Sequence, residues 1–321
     1  MFGISRRSLA KRGLLVLALA AIAVIALVGT SLAGTTAAPG AKAAVNTNKL
    51  VLYSTTSVRD SGLMANVVLP AFAAARPEIT VQPIYVGSGA AIQAARDGNA
   101  DVIIVHSPAD EKQLLIDGVA TMRLPFAYNY FTIVGPKGDP AKIATATTAA
   151  QAFKRIARWG KKLPAGRVAF VSRGDASGTN KKELQLWVAA GVTTAPADPK
   201  APLPAPTGAW YITAAGGMLP CLQVTAQKNA YTLTDTATWL ANKANLKPLQ
   251  VKLTKKADLL NQYSVILLNQ AMHPNVNASG AEFLARWIVS NTGQRAIGKY
   301  GKSQFGQALF FPNAFTISNS F

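Results

Sequence analysis

The segment Val168–Ala190, VAFVSRGDASGTNKKELQLWVAA, passes from strand to turn to helix within a few residues. Val168 to Val171 is a short β-prone run, Ser172 to Thr179 is a polar turn containing glycine, and a helix is expected from about Lys181 to Ala190. A strand feeding a helix through such a turn is the repeating unit of an open α/β sheet. The turn also carries chemistry. A helix start exposes unpaired backbone N–H groups and the positive end of its dipole, so an anion placed there gains several hydrogen bonds without a lysine. Arg173 stands at the strand end with a planar, paired donor set suited to a dianion. Asp175, two residues on, is placed to hold that guanidinium.

The same grammar recurs upstream. Lys49 to Tyr53 is β-prone and stops at Ser54-Thr55-Thr56-Ser57, and Ser61 to Ala75 then has helical spacing at Leu63, Val67, Val68, Ala71 and Phe72, closed by Pro77. Ile79 to Val86 alternates like a strand, Gly87-Ser88-Gly89 opens a helix through about Asp97, and the apolar strand Asp101 to Val105 precedes a helix through Leu115. Strand and helix in turn predict a mainly parallel sheet with covered faces. Tyr128 to Val134 reads as a strand leaving this unit, Gln151 to Trp159 as a helix, and Ala195 to Thr207, with five prolines, as an exposed loop. Tyr231 to Asp235 precedes a helix through Ala241, Tyr263 to Leu268 reads as a returning strand, and helices near Ala281 to Ser290 and Gly293 to Tyr300 finish the chain. The pattern predicts two α/β lobes, the chain crossing near Tyr128 to Phe131 and again near Tyr263 to Val265. Residues 44–127 with 264–321 form the first lobe and residues 128–263 the second. Strand ends and helix starts converge in the cleft between them, where small ligands bind open sheets.

Composition narrows the function. The 321 residues include one cysteine, Cys221, and two histidines, His106 and His273, which leaves no disulfide framework, Cys-rich zinc site or His-based metal cluster. Neither a metal nor a cofactor is expected. Cys221 has nothing cationic beside it in sequence and reads as an inert thiol. Ser88 and Ser177 sit in glycine-flanked turns but not in a Gly-x-Ser-x-Gly elbow, and no histidine pairs by spacing with a carboxylate, so no enzyme is expected. Gly87-Ser88-Gly89 lacks a dinucleotide fingerprint, because Ile92 occupies the third glycine position.

The N-terminus sets the compartment. Leu14 to Val28 is an apolar run of 15 residues behind Arg6, Arg7, Lys11 and Arg12, short for a bilayer span and suited to a secretory signal. Ala41-Lys42-Ala43 fits a cleavage site, with Ser31-Leu32-Ala33 a second candidate. Ser5 to Lys11 resembles a twin-arginine signal, and both export routes stay open. Residues 1–43 are therefore expected to be a signal peptide, and an uncleaved anchor would still place the remainder outside the cytoplasm, in the periplasm or at the cell surface. The remainder holds 28 basic and 14 acidic residues, a formal +14. Such a charge favours anions, and a basic surface for acidic polymers is the non-transport alternative. Nucleic acid is not expected, because the cations are scattered and Lys161-Lys162, Lys181-Lys182 and Lys255-Lys256 look like solvated faces.

The residues also resemble a family. Ser54 to Leu63, Val86 to Gly89, Asp101 to His106 and Phe170 to Thr179 look like the corresponding segments of periplasmic tungstate-binding proteins of ABC transporters. Lys181 to Leu184 with Trp187, Tyr231 to Asp235, and Asn261 to Val265 extend the match, which runs in order from about Lys49 to Pro312. The resemblance implies a two-lobed periplasmic-binding-protein fold of type II. Such a protein captures a tetrahedral oxyanion between its lobes and delivers it to an ABC permease in the membrane, acting as a monomer. Thr56 and Ser57, with Thr55, match the first anion-binding turn, Ser88 the second, and Arg173, Ser177, Gly178 and Thr179 the third. Three departures stand out. Asn180 replaces a frequent His, the proline-rich loop looks inserted, and Gly216-Gly217-Met218-Leu219 varies from Gly-Met-Gly.

The anion itself is narrowed by donor count. Tungstate and molybdate are fully deprotonated and accept only, whereas monohydrogen phosphate keeps a proton and wants a carboxylate. The strand Asp101 to Val105 ends in His106-Ser107-Pro108, without the carboxylate that phosphate binders carry there, although Asp60, Asp110 or Asp175 could reach the site. The expected order is tungstate, then molybdate, with phosphate- or sulfate-binding proteins of the same fold as the alternative.

Overall fold

A computed structural model describes residues 47–314 apart from Lys200 and Ala215; the expected signal peptide and its cleavage sites lie outside these. Three parallel strands form the heart of the first lobe. β1 (Lys49–Thr55) lies between β2 (Thr80–Val86) and β3 (Val102–Val105), its inward leucines Leu50 and Leu52 wholly buried. Each strand ends at a helix: α1 (Thr56–Asp60) after β1, α3 (Ser88–Arg96) after β2 and α4 (Pro108–Ile116) after β3. The single helix expected over 61–75 is instead divided. Gly62 takes φ +78 and ends α1, and a π-helical turn, Met64–Val68, runs into α2 (Leu69–Ala75). Pro70 cannot donate a helical N–H, and the widened turn ahead of it accommodates its ring.

The sheet is mixed rather than mainly parallel. Its path is β10-β4-β9-β3-β1-β2, in which β4 (Ala120–Gly135), β9 (Leu260–Leu268) and β10 (Phe311–Pro312) pair antiparallel with their neighbours. The reason is topological: β4 leaves the lobe and β9 returns to it alongside, so they run in opposite senses. β4 pairs with β9 from Ala120 to Tyr130, then from Phe131 with β7 (Thr232–Asp235) and β8 (Gln250–Thr254) of the second lobe. The exchange of partners falls between Tyr130 and Phe131, within the 128–131 stretch, and Leu260, three residues before 263–265, pairs opposite Tyr130. β4 begins before the expected Tyr128 because Pro125 hides its first half, where the register slips between Pro125 and Ala127.

The second lobe holds β5 (Phe170–Ser172) parallel to β6 (Tyr211–Thr213), with α5 (Ala149–Gly160), α6 (Gly178–Ala189), α7 (Met218–Lys228) and α8 (Thr236–Asn242) around them. Its core is aromatic. Trp187 packs 4.4 Å from Phe153 and 5.0 Å from Phe170, ring centre to ring centre, with Trp210 and Tyr231 alongside. α5 presents Ala152, Phe153, Ile156 and Ala157 to that core at helical spacing, and Thr148 Oγ1 caps it by accepting from Gln151 N at 3.1 Å. Cys221 is buried on α7 against Val171 O and Thr232 Oγ1, and burial pushes its thiol up to about 12. The first lobe closes with α9 (Ala278–Val289), α10 (Asn291–Lys299) and α11 (Lys302–Phe305). Among the described residues, no helix is long and apolar enough to cross a membrane.

Candidate functional site

The three turns meet. Ser57 and Thr56 open α1, Ser88 opens α3, and Gly178 and Thr179 open α6, with Ser177 as its N-cap. Arg173, 2 % exposed, donates from Nη2 to Thr56 Oγ1 at 3.2 Å and so ties the two lobes. A Cβ on Gly87 would lie 3.3 Å from Ser177 Cα, and one on Gly89 would lie 2.9 Å from Ala176 O. Only glycine lets these backbones come so close. The loops at 55–57, 88 and 173–179 thus enclose one locus, with Thr55, Ser57, Ser88, Ser177 and Thr179 all buried.

Their hydroxyls differ in employment. Ser177 Oγ accepts from Asn180 N at 3.2 Å and serves as a helix cap. Thr55 is the N-cap residue of α1, yet its hydroxyl makes no capping bond and lies 3.1 Å from Ser57 Oγ. Ser88 Oγ and Thr179 Oγ1 are fully buried without a protein partner. An unpaired buried hydroxyl costs about 1–3 kcal/mol, and these two, at the starts of α3 and α6, each keep a hydrogen available for a guest. Asp175 is engaged elsewhere. Its Oδ2 accepts from Arg173 Nε at 3.1 Å and Nη2 at 2.5 Å, and its Oδ1 accepts from Ser177 N at 3.2 Å. Burial pushes its carboxyl up, but the Arg173 guanidinium and the hydrogen bonds from Ser177 together outweigh this and hold it below the usual range. Nη1 of Arg173 takes no part in these bonds.

Two neighbours of the site were missed in sequence. Gly217, at φ +105, caps α7 and brings its start to Thr56; a Cβ there would lie 3.5 Å from Thr56 Oγ1. The departure at 216–219 therefore falls against Thr56, bringing the start of another helix to the locus. His106, at the end of β3, lines the opposite wall: its carbonyl oxygen would be 2.7 Å from a Cβ on Gly178. Beside this wall a cleft of about 380 Å³ opens between Ser107, Phe131, Lys181 and Asn261. Lys181 on α6 pairs with Asp110 on α4 across the cleft, and Ser107 Oγ also donates to Asp110. Lys181 is thus an inter-lobe contact, not a solvated face.

The PBP superfamily domain matches residues 33–292. The chain belongs to the PBP superfamily. It is 38% identical over 265 residues to the tungstate-binding protein TupA of Peptoclostridium acidaminophilum, covering 83% of this chain and 86% of that one. Among solved structures it is similar to the tungstate ABC transporter from Geobacter sulfurreducens, at 36% identity and a TM-score of 0.66, over 78% of this chain and 98% of that one. The tungstate-binding protein TupA from Desulfovibrio alaskensis G20 is 34% identical with a TM-score of 0.64, over 83% and 99% of the two chains.

In this PBP superfamily protein a buried polar chain joins the crossing strands to Ser57 at the start of α1. Asp235 Oδ1 accepts from Asn129 Nδ2 at 3.2 Å, and Asn129 Oδ1 accepts from Asn261 Nδ2 at 2.8 Å. His106 Nδ1 lies 2.9 Å from Asn261 Oδ1, an acceptor, so the neutral ring carries its proton on Nδ1. Nε2 then presents a lone pair 3.5 Å from Ser57 Oγ. Burial lowers the imidazolium of His106 to about 4; the Asn261 bond opposes this and the Arg173 cation adds to it.

That shift has a sign. The unfolded chain takes up a proton as pH falls past the ordinary 6.5, while folded His106 stays neutral until about 4. Stability is therefore complete above 6.5 and is lost as pH falls toward 4. Glu111, Glu183 and Asp235, raised by burial, act in the opposite direction. The expected result is differential: between pH 7 and 4.5, urea unfolding of the native sequence should lose roughly 2 kcal/mol more than His106→Gln does. Parallel pH profiles would show that His106 does not resist protonation in the fold.

Proposed function

We propose that this protein is an extracytoplasmic solute-binding protein that captures a tetrahedral oxyanion, tungstate ahead of molybdate, and presents it to an ABC permease. The observation that carries this reading is the pair of buried, unpartnered hydroxyls, Ser88 Oγ and Thr179 Oγ1, beside the Arg173 guanidinium and several helix starts. The geometry supports a guest that only accepts. Both oxygens of Asp175 are occupied by protein donors, and Asp110 is held by Lys181 and Ser107. A protonated phosphate would find neither Asp175 nor Asp110 free to accept its proton, a mismatch that discriminates inside a buried site. The names of the relatives support tungstate in particular. The protein acts by binding rather than by catalysis, as a monomer and on the outer side of the membrane.

Calorimetric titration of the exported protein with tungstate, molybdate, sulfate and phosphate tests this. Tungstate and molybdate should bind tightly, and phosphate at least about 10²-fold more weakly. Failure to bind any of the four would remove the transport reading. A log–log salt slope of several units would favour the acidic-polymer alternative, because a closed pocket releases few counterions.

A further inference from the structure

Glu183, on the inner face of α6, is 2 % exposed, and the side chains that donate to it, Ser172, Asn180, Trp187 and Tyr211, are all neutral. Oε1 accepts from Trp187 Nε1 at 2.9 Å and from the Tyr211 hydroxyl at 2.8 Å; Oε2 accepts from Ser172 Oγ at 2.6 Å and from Asn180 Nδ2 at 3.5 Å. An ionised group buried in this way is expensive, and its negative charge opposes an anionic guest nearby. Neither packing nor electrostatic attraction accounts for a carboxylate here. Its geometry does.

A carboxylate only accepts, so Ser172 must spend its one hydrogen on Glu183. The lone pairs of Ser172 are then free to accept from Gly174 N at 3.1 Å and Asn180 Nδ2 at 3.2 Å. With Nδ2 so engaged, Asn180 turns Oδ1 toward Ala176 N at 3.1 Å. These bonds tie both ends of the turn 172–180. Between them the backbone is left-handed at Gly174 (φ +58) and at Ala176 (φ +52). A non-glycine residue holds that conformation only where its surroundings impose it. Arg173, Ser177 and Gly178 ride on the turn so fixed.

We propose that Glu183 is a positioning residue for anion capture: by accepting from Ser172 and Asn180 it sets the shape of the turn that carries Arg173. The inference rests on the anion-binding reading of this site. Glu183→Gln preserves volume but sets an amide N–H₂ against donors. In calorimetric titrations with tungstate, well below the unfolding temperature, its Kd should rise about 10- to 100-fold, as expected when charged hydrogen bonds lose their geometry. Ser172→Ala should behave alike, and the double variant should be no worse than the weaker single, because both act through one link. Trp187→Phe, which removes a donor to Oε1 and leaves Ser172 and Asn180 on Oε2, should lower stability and leave Kd within about 2-fold. A Glu183→Gln Kd within 2-fold of the native value, a tighter Kd, or additive single variants would each overturn the proposal. Should Glu183→Gln fail to fold, an unchanged Kd in Ser172→Ala would overturn it. Amide hydrogen exchange adds an arm that needs no anion. Gly174 and Ala176 N–H should exchange faster in either variant while β3 stays protected, and unaltered exchange there would overturn the proposal even if no oxyanion bound the native protein.

Discussion

Arg173→Ala should weaken tungstate binding by about 10³-fold, roughly 4 kcal/mol, the worth of two charge-assisted hydrogen bonds. The loss has two sources. The guest forfeits the guanidinium, and Asp175, whose Oδ2 that guanidinium occupies through Nε and Nη2, becomes a bare carboxylate beside an anion. Folding stability should fall less, because the Asp175 side chain is 22 % exposed and can be rehydrated. Arg173→Lys should fall between, since an ammonium keeps the charge but cannot reach Asp175 and Thr56 at once with a planar fork. Calorimetry with parallel urea unfolding checks both halves. An Arg173→Ala protein that still bound tungstate within 10-fold of the native affinity would remove the guanidinium from the site.

Gly178→Ala should give an unusual pairing, weaker binding in a fold at least as stable. In the closed arrangement a Cβ at 178 would lie 2.7 Å from the His106 carbonyl oxygen and within about 3 Å of two ring atoms. Overpacking of this kind costs about 1–3 kcal/mol, so affinity should drop about 10- to 100-fold. Gly178 is the first residue of α6 and its φ is not left-handed, so alanine itself suits the helix and can add up to about 1 kcal/mol. Titration and thermal unfolding of one preparation separate the two effects, and small-angle scattering should show less compaction on adding tungstate. Native-like affinity would mean that the lobes need not approach this closely.

Much of this was legible in the sequence because strand, turn and helix obey local rules. β1, β2, β3 and the helices α3 to α6 show period and punctuation clearly, and the turns proposed to bind the anion announce themselves as hydroxyls and glycines at helix starts. What escaped depends on contacts between distant segments. The parallel sheet was overestimated because the direction of β9 against β3 is set by the path of the whole chain. α7 was hidden by Gly216, Gly217 and Pro220, which read as loop although Gly217 packs against Thr56. His106 looked like an ordinary strand-end residue until the fold brought Ser57 and Gly178 to it. Glu183 follows Lys181-Lys182, the pair read as a solvated face, and only the position of Trp187 one turn later shows that it points inward.

The sixteen-residue β4 is common property of the two halves, its first part laced to one and its last five residues to the other. No single cut yields two independent pieces. Severing the backbone after Tyr130 would leave Ala120 to Tyr130 on one fragment and its partner β9 on the other, baring unsatisfied edges on both. The molecule must therefore be inherited, shuffled or transplanted whole, with its spine intact.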